Sequence, residues 1–214
     1  MSVEIDHLVV RAPSLETGIE ALEARTGVTA AFGGAHPGMG TRNALLSLGP
    51  TSYLEIIVPD PEQPVPPGGR PFGVTDDSAV ELVSFAVHPV DGADIDALAE
   101  AARSAGYDLG PVVSISRQLP EGGELRWRLT FPPGEGADPV QPFLIDWGAA
   151  PSPAGTTPTG CTLRELSIGH PDPGPLRGLV EILGLDLRIS AAEAAVLVAE
   201  VESPNGAVTL TDLV

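Results

Sequence analysis

The sequence predicts an α+β protein built from repeated βαβββ units. The order strand, helix and three strands occurs along residues 1–60, recurs along 78–148 and recurs in shorter form along 160–214. Proline- and glycine-rich breaks separate the copies at residues 60–70 and 149–160. We therefore expect two βαβββ modules followed by a third, shorter module of the same kind.

The first module shows the clearest pattern. Residues 4–11 read as a strand, Ser14 is placed to cap a helix with an apolar stripe, and Gly27 is placed to end it. Extended segments are expected at residues 29–32, 41–48 and 52–58. These elements complete one βαβββ copy before the proline-rich break.

The second and third modules repeat that order. In the second, strands are expected at residues 80–88, 112–117, 124–131 and 141–147, with a helix from about 91 to 106. In the third, strands are expected at 162–169, 185–189, 194–201 and 208–213, with a helix that stops at Gly184. Residues 203–206, Ser-Pro-Asn-Gly, are typical of a hairpin turn. Over 191–200 helix propensity competes with the strand that the repeat requires.

Composition excludes several function classes. The 214 residues carry 11 basic and 29 acidic side chains, a formal charge of −18, which argues against nucleic-acid or membrane partners. The basic residues are all arginine, so lysine-based Schiff-base and phosphate-loop chemistry is excluded. Cys161 is the one cysteine, which excludes an internal disulfide and a thiolate cluster. No targeting pattern or apolar run of roughly 18 residues is evident, so we expect a cytoplasmic protein.

Two strands and one glycine-rich segment carry a family resemblance. Residues 5–10 read Ile-Asp-His-Leu-Val-Val and residues 53–57 read Tyr-Leu-Glu-Ile-Ile. With the βαβββ order, they resemble the vicinal oxygen chelate superfamily. Residues 33–43, Gly-Gly-Ala-His-Pro-Gly-Met-Gly-Thr-Arg-Asn, are similar to its glyoxalase-like domain group. The resemblance covers residues 3–60 best and extends to about 148.

The resemblance implies a shape and a site. Paired modules of this superfamily form cup-shaped, mostly antiparallel half-barrel sheets with helices on the convex side, and the concave face holds a divalent metal and the substrate. His7 and Glu55 match the metal-ligand positions of a first module. An imidazole and a carboxylate with open positions suit Zn, Fe, Mn or Ni. Glu55 would also serve as a general base in catalysis.

The second module does not supply matching ligands. Its corresponding positions are apolar or small: Val83 or Ser84, and Leu144 or Ile145. Two interpretations of the first-module residues therefore stay open. Either His7 and Glu55 hold a metal ion, or they form a buried hydrogen-bonded pair.

A second group of candidate residues would bind substrate. The glycine-rich segment ends in four polar side chains: His36, Thr41, Arg42 and Asn43. Tyr53 shares a strand face with Glu55 because side chains alternate along a strand. The alternative is a glycine-rich hairpin loop with solvated polar tips.

Other polar residues have a simpler interpretation. Arg126 and Arg128 alternate with apolar residues and would form either an anion site or a solvated surface. His88 and His170 each precede a proline at a strand end and are expected to be turn residues rather than ligands. Cys161 lies in no nucleophile motif.

These observations predict a protein that binds a small, oxygen-rich organic molecule in a sheet cavity. By resemblance, the chemistry would be metal-assisted, of the lyase, isomerase, epimerase or dioxygenase type. The first alternative is a metal-free binding or sequestration protein. The second is an interaction domain whose third module forms a homodimer surface.

Overall fold

The computed structural model describes residues 2–118, 124–131, 138 and 140–211. Its strands are β1 Ser2–Arg11, β2 Ala31–His36, β3 Thr41–Ser47, β4 Tyr53–Pro59, β5 Glu81–Val90, β6 Val112–Gln118, β7 Glu124–Thr130, β8 Phe143–Asp146, β9 Thr162–His170, β10 Arg188–Ala191, β11 Val196–Ser203 and β12 Gly206–Leu210. Its α-helices are α1 Leu15–Thr26, α2 Ile95–Ser104 and α3 Pro173–Leu183. Short 3₁₀ helices lie at Pro71–Gly73 and Pro153–Gly155.

Each helix follows one strand and precedes three more, so the βαβββ order occurs three times. The strands of the described residues form one eight-stranded and one four-stranded sheet. The predicted α+β fold class of repeated βαβββ units is therefore confirmed. The division into separate domains at residues 1–60, 78–148 and 160–214 remains a prediction.

The chain folds into two compact units that do not follow sequence order. The first unit contains His7–Ser84, Ser152–Leu166 and the residues from Leu197 onward. The second contains the residues up to Asp6, Phe85–Pro151 and Ser167–Val196.

In the first unit the strands lie in the order β2-β3-β4-β1. β3 pairs antiparallel with both β2 and β4, and β1 pairs parallel with β4. Helix α1 lies close to β4, since a Cβ on Gly18 would fall 2.5 Å from Ile56 Cγ2. The predicted caps are confirmed: Ser14 Oγ accepts from Thr17 N–H, and Gly27 ends the helix at a φ of 75°.

In the second unit the strands lie in the order β5-β8-β7-β6. β5 pairs parallel with β8, whereas β7 pairs antiparallel with β6 and β8. Apolar residues of α2 and α3 are buried, as expected for amphipathic helices that pack on a core. Phe85 is among its fully buried side chains.

The structure corrects the start of the second helix. The helix begins at Ile95 rather than near residue 91, because the Asp94 carboxylate caps the N–H groups of Asp96 and Ala97. Asp91 has a φ of 54° and therefore lies in a turn.

The competition over residues 191–200 is decided in favour of the strand. β11 starts at Val196 and pairs with β12, with Ala199 opposite Leu210. Burial alternates along β11, so its apolar residues are placed by the sheet and not by helix propensity. The expected turn at residues 203–206 joins these two strands. Residues 212–213 of the predicted last strand lie outside the described residues.

Candidate functional site

The register of the first unit brings three candidate residues to one face of the sheet. His7 pairs with Tyr53, and Asn43 pairs with Ile57. Because side chains alternate along each strand, Glu55 shares the face of Tyr53 and Ile57. His7, Asn43 and Glu55 therefore project from the same side, opposite the side on which β4 packs against α1.

Glu55 is the centre of this group. Its Oε1 accepts a hydrogen bond of 2.6 Å from Asn43 Nδ2 and lies 3.4 Å from His36 Nε2. Its Oε2 lies 3.7 Å from His7 Nε2, beyond hydrogen-bonding distance. Among the described residues, Oε2 accepts no hydrogen bond. The carboxylate is thus hydrogen-bonded through Oε1, whereas Oε2 has a longer ion-pair contact with His7.

The two imidazole rings, His7 and His36, each contact residues of the same sheet face. His36 Nδ1 lies 2.9 Å from Thr41 Oγ1, and His36 Nε2 lies 3.1 Å from Asn43 Nδ2. His7 stacks on Tyr53, with ring centroids 4.6 Å apart and planes inclined by 19°. We call His7, His36, Thr41, Asn43, Tyr53 and Glu55 the Glu55 cluster.

The cluster is largely buried. Glu55 is 8% exposed and His7 is 3% exposed. Burial raises the pKa of Glu55, but the hydrogen bond from His36, the charges of His36 and His7 and the hydrogen bond from Asn43 together lower it to about 2. Glu55 is therefore ionised at neutral pH although its side chain is mostly buried.

Arg42 is not brought to the cluster. It lies between Thr41 and Asn43 on β3 and pairs with Val58, so it projects from the other face of the sheet. Its Nε is buried and has no hydrogen-bond partner among the described residues. The structure therefore assembles His7, His36, Thr41, Asn43, Tyr53 and Glu55, but not Arg42.

The proline-rich segment after the first module, residues 60–70, hydrogen-bonds to the turn that follows His36. Gln63 Oε1 accepts from the N–H of Gly38 at 2.8 Å, and Arg70 Nε donates to the carbonyl of Gly40 at 2.8 Å. Gln63 Nε2 also donates to Asp60 Oδ2 at 2.7 Å. The proline-rich composition predicts only a linker here, because composition does not show which side chains reach back to a turn.

The second unit contains another buried carboxylate, which no pattern in the sequence indicates. Asp6 Oδ2 accepts from Trp147 Nε1 at 3.0 Å and lies 3.2 Å from His88 Nδ1. The Asp6 carboxylate beside the ring raises the pKa of His88, although burial opposes the shift. Both histidines expected in turns lie in strands, His88 within β5 and His170 at the end of β9. The turn prediction is therefore wrong for both.

The arginines of β7 do not form an anion site. Arg128 lies 2.6 Å from Asp96 and 3.0 Å from Asp146, so acidic partners already neutralise it. The Arg126 side chain is 78% exposed and contacts Glu124. This agrees with the solvated-surface alternative.

Cys161 is not set up as a nucleophile. It is buried, and burial raises the pKa of its thiol, partly offset by a hydrogen bond with Thr26. A raised pKa keeps the sulfur protonated and weakly reactive.

The family comparison decides the identity of the fold. The profile of the glyoxalase-like domain family matches residues 5–183. This chain belongs to the glyoxalase-like domain family. The predicted family membership is thereby confirmed, and with it the βαβββ arrangement read from the sequence.

The chain is similar to solved structures at low sequence identity, and one of them, at a TM-score of 0.66, shares its fold. A hypothetical protein from Staphylococcus aureus is 15% identical, with a TM-score of 0.66 over 90% of this chain and 88% of that chain. The methylmalonyl-CoA epimerase from Mycobacterium tuberculosis is 19% identical, with a TM-score of 0.41 over 67% of this chain and 87% of that chain. A Streptomyces coelicolor methylmalonyl-CoA epimerase variant in complex with 2-nitronate-propionyl-CoA is 23% identical, with a TM-score of 0.43 over 72% of this chain and 100% of that chain. A search of curated protein sequences found no match.

The cluster does not fit a resident divalent ion as it is arranged. Across residues 2–118, 124–131, 138 and 140–211, no group of three or more His, Cys, Asp or Glu side chains is disposed to hold a metal. The Asn43 amide nitrogen lies 2.6 Å from Glu55 Oε1 and 3.1 Å from His36 Nε2, so an ion that used either atom would have to displace it.

Among the helices of the described residues, none combines the length and the apolar character needed to cross a bilayer.

Proposed function

We propose that the chain binds a small organic molecule at the Glu55 cluster, through a hydroxyl or amine that donates to Glu55 Oε2. The observation that carries this proposal is the unequal use of the two carboxylate oxygens. Oε1 accepts from Asn43, whereas Oε2 has no hydrogen-bond partner among the described residues and lies 3.7 Å from His7 Nε2. A mostly buried ionised oxygen that lacks a donor gains free energy when a ligand supplies one.

The surroundings favour an uncharged or cationic ligand with an apolar body. Leu45 and Ile57 share the face of Glu55, because Leu45 pairs with Glu55 and Ile57 lies two residues along β4. The only arginine on β3, Arg42, projects from the other face. An anionic group would therefore meet the Glu55 charge without a neighbouring cation on that strand.

The roles of the cluster follow from its contacts. Glu55 acts as a fixed anion, because a carboxylate whose pKa is about 2 is a weak proton acceptor at neutral pH. His7 is held flat against Tyr53 and borders the Oε2 side. Asn43, His36 and Thr41 hold the Oε1 side. Metal-assisted lyase, isomerase or dioxygenase chemistry, implied by the family resemblance, stays a prediction.

A ligand screen against a matched pair of variants tests this proposal. Thermal unfolding is measured with polyols, sugars, amines and carboxylic acids, each with and without EDTA. A true ligand at about 100 times its Kd should raise the Tm of the natural chain by about 5–10 °C. Glu55→Gln should lose most of that shift, because its neutral side chain cannot provide the ionised acceptor.

The control is Glu20→Gln, which removes a carboxylate from an exposed position of α1. It should keep the full ligand shift. A ligand that stabilises Glu55→Gln as strongly as the natural chain would locate binding elsewhere and overturn the proposal.

A further inference from the structure

We propose that Asn43 takes the place of a cation in the cluster, so that the site works without a divalent ion. This inference concerns the composition of the site and not its organic ligand. It rests on where the Asn43 amide nitrogen lies and on which acceptor atoms its two hydrogens contact.

Asn43 Nδ2 lies between Glu55 Oε1 and His36 Nε2. It lies 2.6 Å from Glu55 Oε1 and 3.1 Å from His36 Nε2, and those two atoms are 3.4 Å apart. Each of the two amide hydrogens can therefore point at one of these acceptors. The amide supplies the partial positive charge between carboxylate and imidazole that a metal ion would supply.

The His36 ring leaves no lone pair for an ion at this position. When the ring proton is on Nδ1, the Nε2 lone pair accepts from Asn43. When the proton is on Nε2, that nitrogen is a donor toward Glu55 and has no lone pair. In the first tautomer a metal would have to displace the Asn43 amide, and in the second the Nε2 proton would have to leave before His36 could bind it.

The amide is held in this orientation by its neighbours. Turning it over would place Oδ1 2.6 Å from the Glu55 Oε1, where two acceptors repel. In the observed orientation Oδ1 is buried without a hydrogen-bond partner among the described residues and faces Gly33, where a Cβ would fall 2.4 Å from it. The charge-assisted bond to Glu55 offsets that unsatisfied oxygen.

With His36 Nε2 and Glu55 Oε1 occupied by the Asn43 amide, too few ligand atoms of the cluster remain for an ion. Catalytic zinc sites use three protein ligands. Asn43 therefore decides whether the first-module pair can act as a metal site. Replacing the amide with a carboxylate should convert the cluster into such a site.

The experiment compares metal uptake by the natural chain, Asn43→Asp and Asn43→Ala. Each purified chain is dialysed against Zn²⁺, Ni²⁺ or Mn²⁺, and bound metal is measured by elemental analysis and by calorimetry. We expect below about 0.1 equivalent on the natural chain. We expect Zn²⁺ binding on the order of 10- to 100-fold tighter in Asn43→Asp. Asn43→Ala, which frees His36 without adding a charge, should show a smaller gain.

Asn205→Asp is the charge-matched control. Asn205 lies on the exposed turn between β11 and β12, and its Nδ2 lies within 3.5 Å of the Ala24 carbonyl. This variant should bind no more metal than the natural chain. If Asn43→Asp fails to fold, Asn43→Ala still tests the proposal, because it removes the bridging amide alone.

Two results would overturn the inference. One is a full equivalent of metal on the natural chain. The other is metal affinity unchanged in Asn43→Ala and in any folded Asn43→Asp. Because no organic ligand enters this experiment, its failure is distinguishable from failure of the ligand screen.

Discussion

Two buried carboxylates, Glu55 in the first unit and Asp6 in the second, show how the same chemical group serves different ends. Both approach histidine, and both are almost closed to solvent, with Glu55 8% and Asp6 1% exposed. The Asp6 Oδ2 accepts from an indole and lies 3.2 Å from an imidazole nitrogen. Glu55 Oε2, in contrast, has no hydrogen-bond partner among the described residues.

The partners of the two carboxylates also differ in their distance along the chain. Asp6 and Trp147 are separated by 141 positions in the chain, so their hydrogen bond ties distant segments of one unit together. The partners of Glu55 lie within the first 55 residues, on β1 to β4. Asp6 thus accepts a hydrogen bond from a residue far along the chain, whereas the hydrogen bond that Glu55 accepts comes from the neighbouring strand β3.

The largest expected effect is the acid response of Glu55. Its pKa is lowered from 4.5 to about 2 on folding, so its stabilising effect is present above pH 4.5 and is lost as pH falls toward 2. Over that window the unfolding free energy of the natural chain should fall by up to about 3 kcal/mol more than that of Glu55→Gln. Urea unfolding at a series of pH values measures this. Parallel curves for the two chains would contradict the prediction.

A smaller effect is expected when the Asp6 acceptor is removed. Asp6→Ala removes the acceptor of the Trp147 N–H and the carboxylate beside His88, which should lower stability at pH 7 by about 2 kcal/mol. Glu4→Ala removes an exposed carboxylate from the same strand and should change stability by no more than about 0.5 kcal/mol. Urea unfolding followed by tryptophan fluorescence compares them. Equal losses in both variants would remove the structural role assigned to Asp6.

The smallest effect is the titration of His88. The Asp6 contact raises its pKa above 6.5, so the stability it contributes is complete below pH 6.5 and is lost as pH rises through the raised value. The ring is half-buried, so solvent screening should keep the contribution below about 1 kcal/mol. NMR titration of the imidazole measures the pKa directly. A value at or below 6.5 would show that Asp6 does not hold the protonated ring.

Local pattern is sufficient for much of the fold and for the centre of the site. Ser14 and Gly27 act as caps through contacts within one helical turn, and these are readable from residue type. Alternation along β1 and β4 is enough to place His7 and Glu55 on compatible faces. The same rule explains why Arg42 points away. The glycine-rich segment predicts a ligand-binding loop, whereas β2 continues through its first residues as far as His36.

Contacts between distant segments lie beyond local pattern. The proline that follows His88 favours a turn, yet β5 continues through this histidine and Asp6 holds its ring. The Gln63 contact with the turn at Gly38 joins residues 25 positions apart. Neither contact produces a periodic pattern in the sequence, because each depends on how distant segments of the chain come together in the fold.

The sequence by itself determined the repeated βαβββ order, the helix caps and the shared sheet face of His7 and Glu55, because each depends on neighbouring residues or on strand alternation. Only the tertiary structure decided that the Asn43 amide lies between Glu55 and His36 and that Asp6 meets Trp147. Those contacts depend on strand register and on how distant segments pack together. A shift of one strand by one residue, ~3.3 Å, would exchange one partner for another.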